Sequence, residues 1–128
     1  FKSHRFFTAC PQCVPSRAAL MTGKSPVAAR MTRFSSPLPA NQMTLPELLR
    51  DKGGYYTGIC GRSYHLDGSA GRGNDIADRI LRENKMRTFE SRVHFLKGCR
   101  DDAVPSVVEE FLEGVPSEKP FFLWANFS

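Results

Sequence analysis

The residues best suited to chemistry lie near the start of the chain, in the stretch C-P-Q-C-V-P-S-R-A-A-L-M-T-G-K from Cys10 to Lys24. A cysteine acts as a nucleophile through its thiolate, so what matters is whether its surroundings favour the charge. Pro15 has a fixed φ and no N–H to lose, which suits the first helical position. Ala18, Ala19, Leu20 and Met21 are good helix formers, and Gly23 can close the helix in the left-handed conformation. Cys13 is thereby expected at a helix mouth, where unpartnered N–H groups and the positive end of the dipole favour a thiolate and a neighbouring anion. Arg17 stands one turn further in. These residues describe a nucleophile beside an anion pocket without naming the reaction.

A second set follows later in the chain, at Gly61-Arg62-Ser63-Tyr64-His65-Leu66-Asp67-Gly68. A histidine and an arginine directly after a strand are well placed, because ligands in open α/β sheets sit at the carboxyl ends of strands. Other chemically capable residues have plainer readings. His94, between Val93 and Phe95, reads as a partly buried structural histidine. Glu109-Glu110 reads as a solvated helix face, Asp101-Asp102 as a helix cap, and Gly71-Arg72-Gly73 as a turn rather than a phosphate loop. Cys10-Pro11-Gln12-Cys13 is also a C-x-x-C, which fits a thiol–disulfide motif or half of a zinc site. A zinc site wants a second close pair, and Cys60 and Cys99 are far apart in the sequence. A redox motif would put Cys10, not Cys13, at the helix start.

The elements that must position these residues can be read from spacing. Phe6, Phe7 and Thr8 suggest a short buried strand leading into the cysteine loop. The helix from Pro15 to Thr22 follows, and residues 25–42, with Pro26, Pro37 and Pro39, read as a wandering loop in which Arg30 and Arg33 are solvated. Thr44-Leu45-Pro46-Glu47 is a capping-box pattern, with Leu45, Leu48 and Leu49 as the apolar face of the helix behind it. Gly53 and Gly54 stop that helix, and Tyr55 to Cys60 reads as a strand. Asp75 to Glu83 fits a helix capped by Asn74. The basic stretch from Arg82 to Lys97 has no clear period. Asp101 to Gly114 has the 3.6-residue pattern through Val104, Val107, Val108, Phe111 and Leu112. Pro120 to Phe127 is an apolar run that fits a parallel strand buried on both faces, with Trp124 in the core. The alternation predicts an α/β fold with a mostly parallel sheet flanked by helices.

Cys13-Val14-Pro15-Ser16-Arg17, followed by Ala18-Ala19-Leu20-Met21-Thr22-Gly23, resembles the signature of the type I sulfatases. The resemblance implies the alkaline-phosphatase-like fold and a formylglycine nucleophile made by oxidising Cys13. One oxygen of the aldehyde hydrate attacks the sulfur of a sulfate ester; loss of a proton from the other expels the sulfate, a step no thiol could perform. The expected catalytic set is Cys13, Arg17, Arg62 and His65, with Arg62 and His65 also binding the sulfate. The match to the family's G-K-W-H-L-G places His65 on its active-site histidine. The family's lysine falls on Ser63 counting back from His65, or on Arg62 counting from Gly61. Arginine is no simple stand-in, because guanidinium is a planar fork and ammonium a point charge.

The resemblance also implies a divalent cation, usually calcium, held by hard oxygen ligands that include the hydrate at position 13. Its other ligands are expected outside this chain, so residues 1–128 are expected to be part of a sulfatase catalytic domain and inactive alone. The implied partners are a sulfated small molecule or sulfated glycan, and a formylglycine-generating or anaerobic maturase enzyme. A phosphate or phosphonate ester hydrolase on the same scaffold is the near alternative; a non-catalytic redox or zinc-binding protein is the distant one. The implied compartment is periplasmic, secreted or lysosomal.

Composition sets the outer bounds. One hundred and twenty-eight residues, 41% apolar and 24% charged, suit one modest core. A net charge of +5 fits an anionic substrate and equally a solvated basic surface. No apolar run approaches the roughly 20 residues needed to span a bilayer, and neither nucleic acid nor a membrane span is expected.

Overall fold

The computed structural model describes residues 2–33, 38–62 and 91–127. Within them the chain forms α1 (Cys13–Thr22), α2 (Leu45–Gly53), β1 (Tyr56–Gly61), β2 (Phe95–Gly98), a 3₁₀ turn (Asp101–Ala103), α3 (Val104–Glu113) and β3 (Phe121–Asn126). The strands make one sheet in the order β2-β1-β3, and both pairings are parallel. The fold is α/β, as the alternation of elements predicts.

Side chains alternate across β1, so each face of the sheet has its own core. Ile59, opposite Leu96 and Trp124, packs on one face with Val14, Ala18 and Met21 of α1. Cys60, opposite Ala125, packs on the other with Val104 and Val107 of α3. Phe111 of α3 is fully buried, and its ring meets Tyr56, Phe95 and Phe121. It lies so close over Gly58 that a Cβ there would stand 2.4 Å from the ring. Burying each large apolar side chain of this kind contributes about 1.5–3 kcal/mol.

Several expectations change. Residues 6–8 form no strand; Phe6 and Phe7 are 90% and 85% exposed, because no described strand lies beside them to pair with. Helix α1 starts at Cys13 with Gln12 as N-cap, so Pro15 is the third helical residue. Its missing N–H still costs nothing, because the first helical bond is Ser16 N–H to the Gln12 carbonyl, 2.9 Å. Gly23 does close the helix with φ +65°. The 25–42 loop supplies core: Ala29, Met31 and Leu38 are fully buried.

On α2 the apolar face is not the buried one. Leu45 and Leu48 are exposed, while Pro46 and Glu47 are buried. The cause is Arg92, also fully buried, whose Nη1 donates to Glu47 Oε2 at 2.7 Å and to the Gln42 carbonyl at 2.6 Å. The ion pair turns the carboxylate side of the helix inward. The capping box is present, with the Thr44 N–H and hydroxyl both donating to Glu47 Oε2 at 3.0 and 2.9 Å. Before α3, Asp101 and Asp102 occupy the exposed 3₁₀ turn; the N-cap is Ala103, with no side-chain cap bond. Gly114 ends α3 in the right-handed conformation. Strand β3 is half-buried rather than buried on both faces, and Trp124 is a partly buried neighbour of the core. Among the described residues β3 has only β1 beside it. The expected helix at 75–83 and the turn at Gly71-Arg72-Gly73 lie outside the described residues.

Candidate active site

Arg17 of α1 reaches Asn126 at the carboxyl end of β3, where the backbone of Arg62, just after β1, is also bonded. Cys13 is the first residue of α1. It is half-buried, against the apolar cluster of Val14 and Ile59 but not enclosed by it. The loop before it is tied down by hydroxyls. Thr8 Oγ1 donates to the Cys10 carbonyl at 3.0 Å. That uses its only proton, so Ser16 Oγ donates to Thr8 Oγ1 at 2.7 Å. Ser16 of the C-V-P-S-R stretch thus anchors the cysteine loop to the helix.

Arg17 lies four residues after Cys13 and so shares its helix face. Its Nη1 donates to Asn126 Oδ1, across the molecule at the last position of β3. Asn126 is 5% exposed. Its Nδ2 donates to the Cys60 carbonyl at 3.5 Å, and its own carbonyl accepts the Arg62 N–H at 3.3 Å. Arg17, the Arg62 backbone and Asn126 are therefore joined at one edge. Gly61 permits this closeness: it has φ +82°, and a Cβ on it would stand 1.9 Å from the Asn126 carbonyl oxygen. Arg62 is half-buried. His65 and Ser63 lie outside the described residues.

Asn126 was not singled out by the sequence pattern, which placed it inside an apolar strand. The available signal was a lone amide at the carboxyl end of P-F-F-L-W-A-N-F, the end of a strand where α/β ligands bind. Arg92 was hidden in the stretch without a period. His94 is exposed rather than partly buried, but its contacts are structural: Nδ1 accepts the Thr57 N–H at 3.1 Å and the ring stacks on Tyr56. Burial pushes its pKa down, helped by the charges of Arg50 and Lys119.

Cys10, Cys13, Cys60 and Cys99 form no disulfide with one another. Burial, then the neighbouring Cys99, push the Cys60 thiol up, away from the reactive range. Among the described residues no three of His, Cys, Asp and Glu gather closely enough to hold a metal ion. Asp101 and Asp102 are exposed in the turn before α3. The described residues therefore do not by themselves build a calcium site.

Residues 2–128 match the family model named Sulfatase. The chain belongs to the sulfatase family. Among curated sulfatases it is similar to the steryl-sulfatase of Rattus norvegicus, 31% identical over 110 residues, covering 77% of this chain and 19% of the relative. It is also similar to the human arylsulfatase H, 35% identical over 111 residues and again covering 77% of this chain and 19% of the relative. The ulvan-active sulfatase of Formosa agariphila is 38% identical over 58 residues, 45% of this chain and 11% of the relative. No solved structure matches. The chain spans about a fifth of the length of this steryl-sulfatase and of arylsulfatase H. No helix among the described residues is long and apolar enough to cross a membrane.

Proposed function

We propose that the complete protein hydrolyses sulfate esters, that Cys13 oxidised to formylglycine is its nucleophile, and that residues 1–128 are part of its catalytic domain. The observation that supports this best is the seat of Cys13. It heads a helix, half-buried against the apolar cluster that includes Ile59 of β1, and Arg17 one turn on reaches Asn126 at the carboxyl end of β3. In the family, the formylglycine hydrate supplies the attacking oxygen and a second hydroxyl whose lost proton releases the sulfate.

The residues of this chain bind and orient. The N–H groups of the first turn of α1 lack carbonyl partners within the helix and favour an anion in front of it. The Arg17 guanidinium, held from β3, adds positive charge where the negative charge of the transition state develops. Arg62 faces the sulfate oxygens, with its backbone fixed to the end of β3. His65 takes the proton whose loss releases the sulfate, by its match to the family motif.

The sulfate group is the recognised moiety, on a sulfated small molecule or glycan. The relatives' names point to different alcohols, steryl in one and ulvan in another, so the alcohol is left open. A maturase of the formylglycine-generating or anaerobic type is the second partner. The test is turnover by the complete protein, purified after co-expression with such a maturase. Release of sulfate from an aryl sulfate well above release of phosphate from the matching aryl phosphate is expected, with none from the 128-residue chain alone. Preference for the phosphate would replace this reading with a phosphoesterase.

A further inference from the structure

We propose that Cys60 and Cys99 are a reversible disulfide site, in which Cys99 meets a soluble disulfide such as oxidised glutathione and Cys60 resolves the product. The inference stands apart from the sulfatase reading and does not depend on it.

The sequence keeps these two cysteines far apart, and the sheet brings them together. Cys60 of β1 stands opposite Lys97 of β2, and Gly61 opposite Gly98. The ladder runs one step past β2, because the Cys99 N–H donates to the Gly61 carbonyl at 3.1 Å. Residues two apart on a strand share a face. Lys97 reaches Glu110 of α3, so Cys99 lies on the α3 side of the sheet, as Cys60 does. Both belong to the cluster around Val104 and Val107, and Cys99 is near enough to act on the ionisation of Cys60.

Their exposure sets the order of events. Cys60 is fully buried and Cys99 half-buried, so a soluble disulfide meets Cys99 first. The Cys99 thiolate attacks one sulfur of glutathione disulfide; a bond from Cys99 to one glutathione forms, and the other glutathione leaves as a thiolate. Cys60 then gives its proton to water, and its sulfur attacks the sulfur of Cys99 and expels the second glutathione thiolate. Two protein thiols are oxidised, and one disulfide is reduced to two thiols. Burial disfavours the Cys60 thiolate, and so does the charge of Cys99. The mixed disulfide removes that charge at the step where Cys60 must ionise.

The register also sets the character of the bond. Neighbouring strands lie about 4.8 Å apart and two positions along a strand add about 6.6 Å, which puts the two Cα atoms about 8 Å apart in a flat ladder. Disulfides rarely span more than about 7 Å, so closure draws the chain at Cys99 inward by about 1 Å. Cys99 stands just past the last residue of β2, next to the exposed Gly98, where the backbone gives most readily. The strain makes the bond easily reduced, which marks a labile pair rather than a permanent staple.

The experiment maps thiols in the complete protein, held at about pH 8 with oxidised glutathione, quenched with an alkylating agent, digested and read by mass spectrometry. Most molecules are expected to carry the Cys60 and Cys99 peptides joined and lighter by two hydrogens, and excess reduced glutathione is expected to separate them. Cys60→Ser is expected to trap one glutathione on Cys99, whereas Cys99→Ser leaves Cys60 without glutathione. Recovery of both residues as thiols after oxidation overturns the proposal. So does glutathione that stays on Cys99 in the unaltered protein, because Cys60 then fails to reach it, and so does a bond from either residue to a different cysteine. Should a variant fail to fold, the map of the unaltered protein decides alone.

Discussion

Cys13 and Arg17 were legible as a pair because their chemistry depends on local spacing alone. A helix puts residues four apart on one face, and Pro15 with the alanines makes the helix. Asn126 was not legible, because its role depends on a contact 109 positions away in the chain. Gly61 stands between these cases. The sequence places it directly after a strand, but only the register of β1 with β3 shows that the Asn126 carbonyl fills the space a side chain would need. Gly61→Ala is therefore expected to cost about 1–2 kcal/mol for its φ of +82° alone. The clash with backbone adds to that and moves Asn126. The check is the denaturation midpoint together with aryl sulfate turnover. A variant of unchanged stability would show that the two strand ends do not approach as described.

Helix α2 shows where pattern and packing part company. Leu45, Leu48 and Leu49 repeat at helical spacing, and the pattern assigned them to the core. The fold buries Glu47 instead, because a fully buried Arg92 claims its carboxylate. Nothing near Glu47 in the sequence announces that partner, which arrives 45 residues later. Burial alone would raise the Glu47 pKa; the Thr44 hydroxyl bond and the charge of Arg92 outweigh it and hold the net value below the usual 4.5. The stability this confers is full above 4.5 and is lost as pH falls through the lower folded value. His94, also shifted down, acts with the same sign from about pH 6.5 downward, since its neutral Nδ1 accepts the Thr57 N–H. Glu47→Ala leaves the Arg92 charge without its carboxylate and is expected to cost about 3–5 kcal/mol. It should also flatten the acid limb of the stability curve. Denaturant titrations from about pH 7 down to about pH 2, through the range below 4.5 where Glu47 is protonated, check both. An acid limb as steep in the variant as in the unaltered protein would remove Glu47 from the account.

At the scale of the whole molecule, the α/β class and the parallel sheet followed from the order of helix, glycine turn and strand. The depth of burial did not. Strand β3 read as fully enclosed because its residues are apolar, yet Phe121 is half exposed, as are Phe6 and Phe7 to a greater degree. Apolar composition reports what a segment can bury, and the neighbours decide what it does bury. The same holds for the loop at 25–42, where Ala29, Met31 and Leu38 enter the core without any regular spacing.

The two faces of the sheet have separate cores, and the catalytic proposal belongs to the one that carries α1. Its central claim is that residue 13 works as an aldehyde and not as a thiol. Mass spectrometry of the peptide spanning Cys13 tests this most directly, in the complete protein co-expressed with a maturase and beside a sulfatase known to be converted. The account predicts that the side-chain sulfur is replaced by an aldehyde oxygen. A peptide that keeps its thiol, or joins Cys10 and Cys13 with the loss of hydrogens only, while the reference sulfatase is converted, would contradict it.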